Sequence, residues 1–169
     1  MAYLFDTNVL IQAKNLHYGF DFCPAFWQWL IENGAQQKVL SITQVKDEIL
    51  GGEDELEAWV KNDGADLFES VDEKTSDQFQ WLSEWVNASE QYDPAAKVTF
   101  QQVADYYLVA HAKAHSHVVV THEKPENSRK RVKIPNACVA ASVEFITPYV
   151  MLRRERARFV LGKGTGGII

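Results

Sequence analysis

Four acids stand where chemistry could be done: Asp6, Glu48, Asp105 and Glu123. Asp6 follows the short apolar run Ala2–Phe5, within Phe5-Asp6-Thr7-Asn8-Val9-Leu10. An Asp, Thr or Asn there also suits the N-cap of a following helix. Glu48 lies in the segment Gln44–Leu50. At about 100° per residue, Val45 and Ile49 share a face, Glu48 falls beside it and Asp47 points away. In a helix over Gln101–Ala114, Asp105 lies within about 60° of Leu108, Val109 and Ala112, with no Lys or Arg three or four residues away. An ionised carboxylate on an apolar stripe is costly unless it is paired or bound to a metal. Glu123 ends the run Val118-Val119-Val120-Thr121-His122-Glu123.

Crowded carboxylates repel one another and raise each other's pKa. A hard dication removes that cost, and oxygen-only ligation suits Mg2+ or Mn2+ better than zinc. The chemistry expected of such a cluster is activation of water for in-line attack on a phosphodiester.

The segments that must position these acids alternate in type. Short strands are expected at Ala2–Phe5, Val39–Thr43, Ala65–Glu69, Val118–Thr121 and Glu144–Thr147. Helices are expected at Phe22–Asn33, Gln44–Leu50, Asp54–Lys61, Thr75–Ser89, from Pro94 continuously to about His115, and at Tyr149–Leu161. Lys124–Lys133 reads as a basic loop, followed by a turn at Ile134-Pro135-Asn136. Strands separated by helices imply crossover connections, hence an α/β/α sandwich around a parallel sheet. In such sheets active groups gather beyond the carboxyl ends of the strands. Residues 1–161 are expected to form one domain and 162–169 a flexible glycine-rich tail.

The net charge of −6 is unevenly spread: residues 1–123 carry 7 Lys/Arg against 20 Asp/Glu (−13), and residues 124–169 carry 10 against 3 (+7). A basic final third on an acidic body suits a face that meets phosphate, or a solvated basic helix. The candidate phosphate-binding residues are Arg129, Lys130, Arg131 and Lys133 in the loop, with Arg153 and Arg154 (and Arg156 and Arg158) beyond it. Cys23 and Cys138 lie far apart and form no CxxC pair, which argues against a zinc–thiolate site and suits a reducing cytoplasm. No apolar run reaches the roughly 18 residues of a membrane span, and the first residues do not read as a signal peptide.

Taken in order, these segments resemble the PIN-domain family. The string Phe5-Asp6-Thr7-Asn8-Val9-Leu10 is similar to the family's opening motif. Val103-Ala104-Asp105 with Leu108, Ala110 and Ala112 resembles its third-acid helix. Val119-Val120-Thr121-His122-Glu123 resembles the strand and turn of its fourth acid, and Glu48 stands where the second is expected. The resemblance implies a Rossmann-like fold and a ribonuclease dependent on Mg2+ or Mn2+. Asp6, Glu48, Asp105 and Glu123 become its metal-binding and catalytic acids, with Thr7, Asn8 and Thr121 in support. It also implies RNA as substrate, and admits the toxin of a toxin–antitoxin pair with an antitoxin-like protein partner and a homodimer. Two departures stand out: Glu123 where Asp is commoner, and a long insertion between Glu48 and Asp105 bearing Trp59, Trp81 and Trp85.

Two rival readings remain open. One is a PIN-like RNA- or protein-binding module without catalysis. The other is a phosphatase of the haloacid-dehalogenase type, whose DxDx[TV] motif here meets Asn8 in place of its general acid. The five histidines show no HExxH spacing, and His115 and His117 are expected at the surface near a helix end. Trp27, Trp29, Trp59, Trp81 and Trp85 are expected to pack rather than to stack on bases.

Overall fold

The computed structural model describes residues 1–160. The expected tail, 162–169, and the last residue of the expected Tyr149–Leu161 helix lie outside that range. Five parallel strands, β1 (Tyr3–Phe5), β2 (Val39–Ile42), β3 (Phe68–Glu69), β4 (Val118–Val120) and β5 (Phe145–Ile146), form one sheet in the order β3-β2-β1-β4-β5. Chain order runs outward from β1 in one direction, then returns to its other side at β4. The switch in strand order therefore falls between β1 and β4, where the carboxyl ends of neighbouring strands open a crevice.

Nine α-helices connect the strands among the described residues: α1 (Thr7–Gln12), α2 (Pro24–Ala35), α3 (Thr43–Ile49), α4 (Glu55–Asn62), α5 (Glu73–Ala88), α6 (Pro94–Phe100), α7 (Ala104–His115), α8 (Ile134–Ala141) and α9 (Pro148–Arg154). A single π-helical turn, Ala13–His17, extends α1. The three central strands, β1, β2 and β4, are buried on both faces because helices cover both. Leu4, Val119 and Val120 are fully enclosed, as are Leu108 and Val109 of α7. This is the α/β architecture the sequence implies.

Four expected elements differ. The helix from Pro94 breaks at Gln101–Val103, leaving Val103 extended, so Asp105 sits in the first turn of α7 rather than mid-helix. The β-branched Val98, Thr99 and Val103 weaken helix continuity there, and the Gln101 amide takes the Ser83 hydroxyl at 2.7 Å. The expected turn at Ile134–Asn136 is instead the start of α8, with Pro135 near its N-terminus, where proline's missing N–H costs nothing. The last helix stops at Arg154. Arg156 takes a left-handed conformation (φ 53°), and Ala157 N–H returns to the Leu152 carbonyl at 2.9 Å, a Schellman closure. Ala65–Leu67 forms a 3-10 turn, which shortens β3 to two residues.

The insertion between Glu48 and Asp105 supplies α4, β3, α5 and α6. Trp59 packs on Trp27, ring centroids 4.8 Å apart, and Trp85 meets Tyr92 and Phe100. Trp81 is partly exposed beneath the Lys113 ammonium, 4.5 Å from its ring.

Candidate active site

Asp6 ends β1 at the switch point and is 1% exposed. It caps α1: Oδ1 accepts the Val9 N–H at 2.8 Å, while Oδ2 accepts the Thr121 hydroxyl at 2.5 Å from the neighbouring β4. Burial pushes its carboxyl up to about 6, although the Thr121 and Val9 hydrogen bonds pull the other way. The Thr121 oxygen also accepts the Glu123 N–H at 3.0 Å, so one hydroxyl ties together the ends of both strands.

Glu48 lies on the exposed side of α3 and reaches across to α7. Oε2 accepts the Thr7 hydroxyl, and Oε1 accepts the Ala104 N–H at 3.2 Å. Glu48 thereby satisfies an orphan donor at the start of the helix that carries Asp105. Glu123 does the same for α8, its Oε2 accepting the Ile134 N–H at 2.9 Å. Its Oε1 meets Arg131 at 2.8 Å and Lys133 at 3.4 Å.

Asp105 differs from the other three. Among the described residues its carboxylate has no hydrogen-bond or ion-pair partner. Burial, then repulsion from Asp6, Glu123 and Glu48, pushes it up to about 7, opposed by the weaker pull of Arg131. The four acids thus share one electrostatic neighbourhood. Asp6 caps α1, the Glu48 and Glu123 carboxylates accept the first N–H groups of α7 and α8, and Asp105 lies in the first turn of α7, where the dipole favours negative charge. Asp105 opens onto a cavity of about 370 Å³ with Thr7, Asn8 and Glu48 on its polar side. Thr99, Lys130 and Arg131 complete the polar lining, with Ala96, Phe100, Val103 and Val132 as apolar wall. Asp6 and Glu123 do not line it.

The basic candidates divide. Lys130 and Arg131 border the cavity. Arg129 pairs with Asp93 at 3.1 Å, and Lys133 spans Glu123 and Glu126. Arg153 is exposed and bonds only the Tyr149 carbonyl, at 3.5 Å, among the described residues. Arg154 pairs with Glu144 at 2.7 Å, just ahead of β5 and so at the opposite edge of the sheet.

A second cluster was not expected. His115 and His117 are partly buried rather than at the surface, and His111 is 2% exposed. Among the described residues, the two sets of three donors that meet within 4.8 Å are Glu69–His111–His117 and Asp72–His111–His115, not the four acids. The spacing of His111 and His115, one turn apart on a helix, is the sequence signal that marks them. Cys23 and Cys138 are free thiols.

Among solved structures, VapBC2 from Rickettsia felis, bound to a DNA fragment from their promoter, is similar with a TM-score of 0.52 and 14% identity, over 87% of this chain and 98% of that one. FitAcB from Neisseria gonorrhoeae gives 0.54 and 19% over the same shares. FitAB bound to an IR36 DNA fragment gives 0.52 and 18%, over 87% and 95%. At these identities the likeness shows the fold, which is the PIN-type fold that the ordered motifs resemble. No curated protein matches the chain in sequence. A family model described as a domain of unknown function, DUF4411, matches residues 3–159, and the chain belongs to that family.

Proposed function

We propose that the chain is a ribonuclease dependent on a divalent metal, hydrolysing RNA phosphodiesters in the cavity at the β1–β4 switch. The observation that carries this reading is the unpartnered Asp105 carboxylate, held near neutrality by burial and three neighbouring acids. A fold does not keep such a group for stability, because each charge added there is repelled.

The donor set fits a hard dication, because every group is a carboxylate oxygen. Asp6, Glu48 and Asp105 would hold Mg2+ or Mn2+. Among the four acids Glu123 alone is ion-paired within the described residues, with Arg131 and Lys133, so its part is charge and the placing of those cations. When bound, the ion supplies positive charge that polarises a phosphoryl oxygen and lowers the pKa of water. The protein's own groups do the rest. Thr121 and the Val9 N–H fix the Asp6 carboxylate, Thr7 fixes Glu48, and Lys130 and Arg131 bind phosphate across the cavity from Asp105. Asn8, exposed at the cavity rim, is placed to hydrogen-bond the substrate backbone.

The similarity to VapBC2 and to the FitAcB and FitAB structures supports a toxin of a toxin–antitoxin pair, silenced by an antitoxin-like partner. Among the described residues no helix is long and apolar enough to cross a membrane, in keeping with a cytoplasmic site of action. The direct test is cleavage of single-stranded RNA by the chain purified free of any partner. Activity should need Mg2+ or Mn2+ and stop with EDTA; metal-independent cleavage would overturn the reading. A second reading, a binding module without catalysis, is favoured by the helix-capping bonds of Asp6, Glu48 and Glu123. It is distinguished by RNA that binds but stays intact with metal present.

A further inference from the structure

Two turns along α7 from Asp105, the His111 ring is enclosed among β3, α5 and α7, and its Nε2 has no hydrogen-bond partner. The hydrogen bonds around it fix its tautomer. Asp72, the N-cap of α5, accepts at one oxygen both the Thr75 N–H (2.9 Å) and the Thr75 hydroxyl (2.8 Å). A hydroxyl has one proton to give. Since the Asp72 carboxylate can only accept, that proton goes to Asp72. The Thr75 oxygen therefore accepts from His111 Nδ1, 2.8 Å away. With the ring proton on Nδ1, His111 Nε2 is a bare lone pair.

That lone pair points at a carboxylate: Glu69 Oε2 is 3.5 Å away. A buried ring nitrogen without a partner is costly, and two acceptors facing each other repel unless a cation stands between them. The ring is already oriented as metal-binding histidines are, with the far N–H held by a polar partner that is itself anchored to a carboxylate. His117 completes a set of three donors with Glu69 and His111, all within 4.8 Å. Its Nδ1 now accepts the Ala2 N–H at 3.0 Å, a contact that ligation by this ring would exchange for the metal.

We infer that Glu69, His111 and His117 form a second metal site, separate from the acid pocket and selective for a borderline dication of the zinc class. Two imidazoles and one carboxylate are a zinc donor set that leaves a fourth position for water, and they suit magnesium poorly. Bound there, zinc would hold the end of β3 and the segment before β4 against α7, independently of the proposed RNA chemistry.

The experiment titrates zinc, against a chromophoric chelator, into metal-stripped protein carrying Asp105→Asn to weaken the acid pocket. One zinc per chain should bind and raise the melting temperature. Glu69→Gln, at a partly exposed position, should lower zinc affinity at least tenfold while melting like its parent without zinc. Thr75→Val, which removes the ring's anchor, should lower it about 10- to 100-fold. Cobalt(II) in place of zinc should give the visible absorption of a four-coordinate site, abolished by Glu69→Gln. No zinc bound, or affinity unchanged in Glu69→Gln, would overturn the proposal. His111→Gln is a stricter variant, and Glu69→Gln decides the matter if its buried replacement prevents folding.

Discussion

The hydroxyl of Thr121, at the end of β4, donates to the buried carboxylate of Asp6 at the end of β1, 2.5 Å away. The two strands are neighbours in the sheet but lie more than a hundred residues apart in the chain, so this bond closes the crevice in which the acids stand. Thr121→Val keeps the shape and removes the donor. Asp6 then loses a bond to its charged form, and the Glu123 N–H loses its acceptor. A cost of about 1–3 kcal/mol follows from leaving such buried groups unsatisfied. For a domain of this size that lowers the melting temperature by about 2–4 °C per kcal/mol. An unchanged melt would show that the bond contributes nothing.

Asp6 and Asp105 make metal-free stability fall with rising pH. Both carboxyls are raised in the folded state, to about 6 and about 7, above the ordinary 3.8. The folded chain therefore holds their protons more tightly than the unfolded chain. Their contribution is fully present below about pH 4 and is lost as pH climbs through 6 and 7. Asp105→Asn removes its share of the titration and leaves that of Asp6, so in EDTA the variant should melt above wild type at pH 8 and converge with it near pH 4. A wild type that gains stability relative to the variant across that range would contradict the assignment.

Glu48 serves two ends that substitution can separate. Glu48→Gln keeps an acceptor for the Ala104 N–H and removes the charge; Glu48→Ala removes both. The Ala variant should lose about 0.5–2 kcal/mol, the range for a lost helix cap, and the Gln variant much less. Both should lose RNA cleavage. Full activity in Glu48→Gln would leave Glu48 with a capping role alone.

Lys130 and Arg131 flank the cavity, whereas Arg154 is paired with Glu144 at the far edge. Phosphate contacts release counterions, about 0.7 per charge for single strands. Replacing Lys130 and Arg131 with Ala should flatten the dependence of log affinity on log salt by about 1.4. Arg154→Ala should leave the slope unchanged; a slope altered only by Arg154→Ala would move the RNA path to the other edge.

The sheet and the acids were legible in the sequence for one reason. Strands buried on both faces are written as uninterrupted apolar runs, such as Val118–Val120, and the residue ending each run falls at the functional edge. What was hidden depends on contacts between distant segments. The break before Ala104 is fixed by a carboxylate on α3, fifty-six residues earlier. The start of α8 is satisfied by Glu123 rather than by a local cap. Lys133 and Arg131 read as free cations in the chain, yet fold against Glu123. The histidine cluster needs β3, α5 and α7 together, and only the His111–His115 spacing hinted at it.

Asp105, buried and unpartnered among the described residues, is the proposed seat of the metal ion on which RNA cleavage depends. The most direct measurement sets wild type beside Asp105→Asn, both free of partner protein, at one Mn2+ concentration. Calorimetric Mn2+ binding and cleavage of single-stranded RNA are read on the same samples. Wild type should bind the ion and cleave, and Asp105→Asn should remain folded while losing both. Equal binding and equal cleavage by the two proteins would mean that Asp105 neither holds the ion nor takes part in cleavage.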